Sequence, residues 1–267
     1  MIATERTGTN YLCELLGYHP QIAARYEIFS NMGVMMWDEE VETLCKAQNW
    51  SFVDRSHPDL IKRFKKRPRR ILKLIGRRLP SEKKICSFKV FHDHLPPRQL
   101  ARLIKDYEVI FVTRRVIDTY VSFVKAMETE EWLRLDTTQI KPALRIDDFI
   151  DWYRSRHQYY KGCADRYTRT HHKTVTLLKY EEFTDRSDLE NLKSACQKIT
   201  AATGIDLYIP SQEFELKTWK QDSSQLVVDK VSNWQEFEAQ LKERGLLEIA
   251  FDYFLGPTES LYSAGRI

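Results

Sequence analysis

"TERTGTNYL", residues 4–12, decides how the rest of the chain is read. Ile2 and Ala3 before it form an apolar strand stub, and Tyr11, Leu12, Leu15 and Leu16 after it recur at helical spacing. Strand, polar glycine-containing turn, helix is the context in which a loop holds phosphate. N–H groups at a helix N-terminus converge on the anion, and the helix dipole adds partial positive charge. This loop has no lysine, however. A Walker A loop requires G-x-x-x-x-G-K-[ST], and that string occurs nowhere in the 267 residues. The same turn also fits a plain helix entry with Thr9 or Asn10 as N-cap, so other segments must decide.

Working outward, residues 22–26 are a short extended run leading to Glu27. "ICSFKVF" (85–91) reads as a strand with Phe88 and Val90 on one face and Lys89 and Phe91 on the other. "YEVIFVT" (107–113) is a continuous apolar run of the kind buried parallel strands show, and "TVTLLKY" (174–180) is a further strand. Helices are expected over 34–56, 115–129 and 187–202. Ser232-x-x-Gln235 reads as a capping box opening a last helix that closes near Gly245. Strands alternating with helices imply an α/β fold with a mostly parallel central sheet flanked by helices. With no repeat and no clear linker, one domain over 1–267 is expected, carrying a basic helical insertion around 57–84.

The totals set bounds. Apolar residues make up 42% of the chain, enough for a sizeable core. Lys and Arg number 42 against 38 Asp and Glu, and the net +4 is too weak to imply a nucleic-acid partner. The five cysteines form no C-x-x-C pair, which suits a reducing compartment. No run approaches the ~20 apolar residues of a membrane span, and polar Thr4, Glu5 and Arg6 interrupt any signal-peptide core. A soluble, cytoplasmic protein is expected. The segment "LIKRFKKRPRRILKLIGRRLPSEKK" (60–84) reads either as a solvated amphipathic helix pair broken at Pro68, or as a cationic face for an anionic acceptor or peripheral membrane association.

"FVTRRVIDTYVSF" (111–123) supplies a second anion site. Arg114 ends a buried strand, where open α/β sheets bind ligands, and Ser122 lies eight positions on in the following helix. A forked guanidinium and a directional hydroxyl can converge on one dianionic phosphate. Arg114 and Asp118 at helical spacing fit a simple ion pair equally well. Two anion sites at two strand ends suit a nucleotide with separated phosphates, one on the 5′ chain and one on the ribose 3′ oxygen.

At this point the chain resembles the sulfotransferases that use 3′-phosphoadenosine 5′-phosphosulfate, closest to the bacterial carbohydrate group that includes nodulation-factor and lipopolysaccharide sulfotransferases. "RTGTNYLCELLGYHPQIAARYEIF" is similar to the group's 5′-phosphosulfate loop and first helix, and "FVTRRVIDTYVSF" to its 3′-phosphate motif. "LLKYEEF" (177–183) and "DKVSNWQEF" (229–237) resemble later segments. Asn10, where many members carry Thr, and Arg115 depart from the pattern.

The resemblance implies a P-loop-like domain. In it Arg6, Thr7, Gly8, Thr9, Asn10 and Tyr11 hold the 5′-phosphosulfate, Arg114 and Ser122 hold the 3′-phosphate, and Lys230 reaches the latter from a late loop. Arg6 would also stabilise charge developing on the leaving adenosine 3′,5′-bisphosphate, with no metal expected. The acceptor implied is a hydroxyl on a carbohydrate or other small molecule, with no nucleic acid. The general base implied is Glu27 by likeness to the carbohydrate group. His94 is the rival, because "HDHLPP" (92–97) resembles the His-Leu-Pro segment of small-molecule sulfotransferases.

His92 and His94 at i, i+2 on a strand have metal-binding spacing, but no third ligand is evident. Trp219 and Trp234 are candidates to stack on adenine or sugar, as are Trp37, Trp50 and Trp132 for an acceptor sugar, although tryptophans are commonly core. Two other readings fit the residues: an NTP-dependent kinase-like enzyme, which the missing loop lysine disfavours, and a non-catalytic anion- or nucleotide-binding module.

Overall fold

The computed structural model describes residues 1–256 apart from 53, 133, 134, 213, 219, 220, 223 and 225. Trp219 therefore lies outside the described residues.

The architecture is mixed α/β with parallel strand pairing. β1 (Ile22–Ala24) pairs with β2 (Ile85–Ser87), and β3 (Ile110–Thr113) pairs with β4 (Thr176–Lys179), both parallel. Between the two pairs lies the N-terminal stub. Ile2 bridges in parallel to Val90 on one side and to Phe111 on the other. Its N–H donates to the Ile110 carbonyl at 2.9 Å, and the Ala3 N–H donates to the Val90 carbonyl at 3.2 Å. The segment from Thr4 to Gly8 thus leaves the middle of the parallel array, with the chain over 85–90 on one side and β3 on the other.

Two apolar layers cover this array, and period-two alternation assigns residues to them. Ile2, Val90 and Phe111 face a core with α5 (Pro97–Asp106) and α7 (Ile146–His171), including Leu103, Tyr160 and Tyr167. Their neighbours Ala3 and Val112 face the opposite core with α1 (Thr9–Gly17) and α8 (Asp188–Thr203), including Leu12, Leu16, Leu192 and Cys196. α6 (Val116–Thr129) follows β3 directly, as its sequence predicts. The basic segment forms α3 (Pro58–Lys66) and α4 (Pro68–Gly76), with Pro68 at the first turn of α4, where a missing N–H costs nothing.

β2 and β3 are shorter than the runs 85–91 and 107–113 that predict them, and two helix expectations differ. The helix expected over 34–56 is only α2 (Asp38–Lys46). It starts where Asp38, Glu39 and Glu40 place negative charge on the first turn, and Asn49 stops the chain in a left-handed conformation (φ 54°). The capping box at Ser232 does not form. α9 (Trp234–Glu243) begins after Asn233, whose amide instead donates to the Leu144 carbonyl (3.0 Å) and accepts from the Leu144 N–H (2.9 Å). A short α10 (Leu247–Phe251) follows, so α9 is not the last helix. No helix among the described residues is long and apolar enough to cross a membrane.

Candidate functional site

The loop between Ala3 and α1 is wound tightly. The Thr7 hydroxyl turns inward and donates to the Thr4 carbonyl at 2.8 Å. Arg6 and Gly8 both adopt left-handed backbone conformations (φ 66° and 76°). Gly8 is required twice over: its φ is costly for any side chain, and a Cβ there would sit 2.5 Å from the Tyr180 ring. The buried Tyr160 hydroxyl of α7 accepts from the Thr4 N–H (3.2 Å) and donates to the Val112 carbonyl (2.6 Å), tying the loop to β3.

Neither Thr9 nor Asn10 caps α1. The N-cap is Gly8, with no side-chain cap bond, and the first turn contains no acidic residue. Neither a capping side chain nor a first-turn acid therefore meets the first N–H groups of α1 and its dipole.

The two arginines predicted from separate motifs lie together. Arg114 Nη1 donates to the Arg6 carbonyl oxygen at 3.3 Å, and the Arg114 guanidinium stacks 4.4 Å from the Tyr180 ring centre. The Arg6 guanidinium donates from Nε to Ser122 Oγ at 2.9 Å, and from its two terminal nitrogens to the Trp132 carbonyl and Gln221 Oε1, each at 2.6 Å. Every acceptor around the two guanidiniums is neutral; neither forms an ion pair with a carboxylate among the described residues. Burial, then the neighbouring Arg114 charge, lowers the Arg6 pKa to about 10, so it stays cationic at neutral pH. Ser122, expected on the 3′-phosphate with Arg114, is here an acceptor for Arg6.

Asp118 does not pair with Arg114 at helical spacing. It takes Lys230 at 2.8 Å and Arg115 at 2.6 Å. Burial would raise its pKa, but Arg114, Lys230 and Arg115 outweigh that and hold it low. Lys230 is thus buried against Asp118. Tyr11 points to α8, where its hydroxyl donates to Asp188 (2.6 Å) and accepts from Asn191 (2.9 Å).

On the α1 side of the loop sits a residue that sequence reading left unassigned. Lys89, only 1% exposed, pairs with Glu27 Oε1 at 3.0 Å, reaches Thr9 Oγ1 at 3.3 Å, and donates to Asn10 Oδ1. Its signal was the single charge in an otherwise apolar strand, placed by alternation on the loop's side. Behind Glu27 stands His94. Its Nδ1 accepts the Phe91 N–H at 3.1 Å, which puts the neutral ring's proton on Nε2, 3.6 Å from Glu27 Oε2. Burial raises the Glu27 pKa, but His94 and Lys89 lower it further, to about 2. Glu27 is 24% exposed and His94 only 3%, so the two form one unit with the carboxylate in front.

His92 and His94 lie in a turn, not on a strand face. His92 Nδ1 faces Glu5 Oε2 at 3.6 Å, and Arg156 of α7 donates from Nε (3.1 Å) and Nη2 to the other Glu5 oxygen. Arg156 thereby neutralises the one carboxylate inside the loop, another pairing sequence did not reveal. Among the described residues, no group of three or more His, Cys, Asp or Glu is placed to hold a metal ion. Trp234 is core, edge-on to Phe251. Trp50 lies under Arg63, while Trp37 is 70% exposed.

No protein-family model matches the chain. It is 26% identical over 194 residues to nodulation protein H of Rhizobium tropici, an alignment covering 68% of this chain and 67% of that protein. This is a distant, sulfotransferase-like relationship, to a protein of the group that the loop and the Arg114 segment resemble.

Proposed function

We propose that the chain is a single-domain, P-loop-like sulfotransferase that moves the sulfuryl group of 3′-phosphoadenosine 5′-phosphosulfate to a carbohydrate or glycolipid hydroxyl. One observation carries the reading: Arg114, from one motif, donates to the backbone carbonyl of Arg6 in the other, and among the described residues neither guanidinium is in ion-pair contact with a carboxylate. The Arg114 charge disfavours that of Arg6, and an anion bound by both would offset that cost. The uncapped, acid-free start of α1 points to the same loop. The distant match to nodulation protein H supports a sulfotransferase-type activity.

The residues present fit the donor nucleotide. The loop N–H groups, Arg6 and Lys89 are disposed for a phosphosulfate at the start of α1. Arg114 just beyond β3 and Ser122 on α6, where it also accepts from Arg6, serve the 3′-phosphate, with Lys230 and Asp118 setting the local charge. The bound donor supplies a sulfuryl group and an adenosine bisphosphate leaving group, transferred in line through a loose transition state. In such a reaction the protein contributes position and electrostatics. Arg6 carries positive charge where negative charge develops, and Lys89 can do so from the other side of the loop.

Glu27 is the acceptor-side group, with His94 positioning it through Nε2–H. Held near 2 by His94 and Lys89, Glu27 is fully ionised at neutral pH and orients the acceptor hydroxyl. Exposed Trp37 and Trp132 on the acceptor-side segments offer faces for sugar rings.

The test is transfer of radiolabelled sulfuryl from the donor to a panel of oligosaccharides and glycolipids. A labelled product that disappears with Glu27→Gln and persists, with reduced rate, in His94→Asn supports the assignment. The reading fails if the donor gives no product while ATP·Mg²⁺ phosphorylates the same panel.

A further inference from the structure

Charge is distributed very unevenly over the molecule. Residues 58–84 hold twelve Lys and Arg against only Asp59 and Glu82, a net +10. The whole chain carries +4, which leaves −6 for everything outside that segment. α3 and α4 bury Leu60, Phe64, Ile71, Leu72 and Ile75 in the core, so their opposite faces point to solvent.

Those faces are not the mixed-sign surface of an ordinary solvated helix. Among the described residues, Arg69 alone of the segment's cations meets a carboxylate, that of Asp106. Lys65 and Arg70 end on the neutral side chains of Asn31 and Gln48. Lys62, Lys66, Arg67, Lys73 and Arg77 are exposed and have no side-chain partner among the described residues.

We propose that the α3–α4 face docks the protein on an anionic lipid surface. Like charges packed this densely repel one another and are relieved only by an extended counter-charge. A planar bilayer of acidic headgroups supplies one, at about fivefold in affinity for each Lys or Arg brought to it. Because the apolar faces of both helices are used in the core, nothing is left to insert. Attachment is electrostatic and falls as salt shortens the Debye length.

A nucleic acid fits less well. The segment's one aromatic residue, Phe64, is fully buried, so no ring is offered for base stacking. The rest of the chain carries a net −6 and is not drawn to an acidic surface. α3 also touches the acceptor side of the site: Lys65 binds Asn31 and lies 3.5 Å from the Asp93 carbonyl, between the segments that carry Glu27 and His94. Taken with the proposed function, docking presents the site to a hydroxyl on a lipid-anchored glycan.

The experiment is co-sedimentation with vesicles of phosphatidylcholine alone or mixed with phosphatidylglycerol, at low and physiological salt. The full chain is expected to bind only the mixed vesicles and to be released by salt. The variant Lys62→Glu/Lys66→Glu/Lys73→Glu/Arg77→Glu is expected to lose on the order of 100-fold or more in affinity. Lys161→Glu/Lys242→Glu, exposed on α7 and α9, should bind as wild type. Circular dichroism checks folding, and if the fourfold variant is unfolded, Lys66→Gln/Lys73→Gln replaces it, with an expected loss of about 25-fold.

Equal binding to both vesicle types, an unaffected charge variant, or tighter binding to duplex DNA than to mixed vesicles overturns the proposal. Binding of adenosine 3′,5′-bisphosphate, measured without vesicles, reports on the enzymatic reading separately. Nucleotide binding without vesicle binding would remove only the docking surface; vesicle binding without nucleotide binding would remove only the enzyme.

Discussion

Replacing Gly8 by alanine tests whether the loop is as tightly specified as its geometry implies. The left-handed backbone at φ 76° costs a side chain about 1–2 kcal/mol. The new Cβ would lie 2.5 Å from Cδ2 and Cε2 of Tyr180, where ordinary contact begins at 3.4 Å, so the ring must retreat by roughly 1 Å. That ring sits under the Arg114 guanidinium and edge-on to Phe183, so the displacement adds about 1–3 kcal/mol of overpacking. The expected loss is about 2–5 kcal/mol in urea unfolding, or roughly 5–15 °C in Tm for a chain of this size.

Gly162, in the interior of α7 with nothing within 4 Å of its would-be Cβ, is the internal control: Gly162→Ala should gain up to about 1 kcal/mol. Removing the ring as well, in Gly8→Ala/Tyr180→Ala, should return the overpacking part and leave the backbone part. If Gly8→Ala unfolds within about 0.5 kcal/mol of wild type, the tight approach of loop and ring is wrong, and the placement of Arg114 with it.

Three further outcomes follow from the site. Glu27 has a folded pKa near 2 against 4.5 for the free group, so it stabilises the fold above pH 4.5, and that contribution is lost as pH falls from 4.5 toward 2. Wild type should lose up to ~3 kcal/mol over that window from this group, and the acid limb of Glu27→Gln should be flatter; equal limbs would refute the ionised pairing with Lys89 and His94. Lys125 is buried, donating to the Thr137 carbonyl (2.8 Å) and Asp222 (2.7 Å); Lys125→Met should cost about 3–5 kcal/mol by stranding that carboxylate, and a cost under about 1 kcal/mol would show the pair is not closed in solution. Arg114→Ala should raise the KM for the donor at least tenfold with the acceptor KM little changed, and a reversed pattern would move Arg114 to the acceptor side.

What was legible in the sequence depended on how local each signal is. The loop, its helix, β3 and the strand end at Arg114 were readable because apolar periodicity and one glycine define them within a dozen residues. The break at Pro68 was readable because proline acts through its own ring. Lys89 was visible as a charge in an apolar strand, but its role depends on Glu27, distant in sequence and adjacent in space. Gln221 carried no signal, since an amide in a polar loop resembles every other. The box at Ser232 failed because Asn233 found stronger partners in the backbone of Leu144. The Arg114–Asp118 spacing misled because α6 begins only at Val116, leaving Arg114 outside it, and the acid pairs with Arg115 and Lys230. The choice between Glu27 and His94 could not be made from spacing, because only the fold shows one standing behind the other.

The central claim is that Arg6 and Arg114 share one nucleotide, and calorimetric titration with adenosine 3′,5′-bisphosphate tests it most directly. The account predicts a single site on the wild-type chain, weakened at least tenfold by Arg6→Ala and by Arg114→Ala separately, with ATP·Mg²⁺ a poor competitor. Binding that survives both substitutions unchanged, or no binding to the wild-type chain at all, would contradict it.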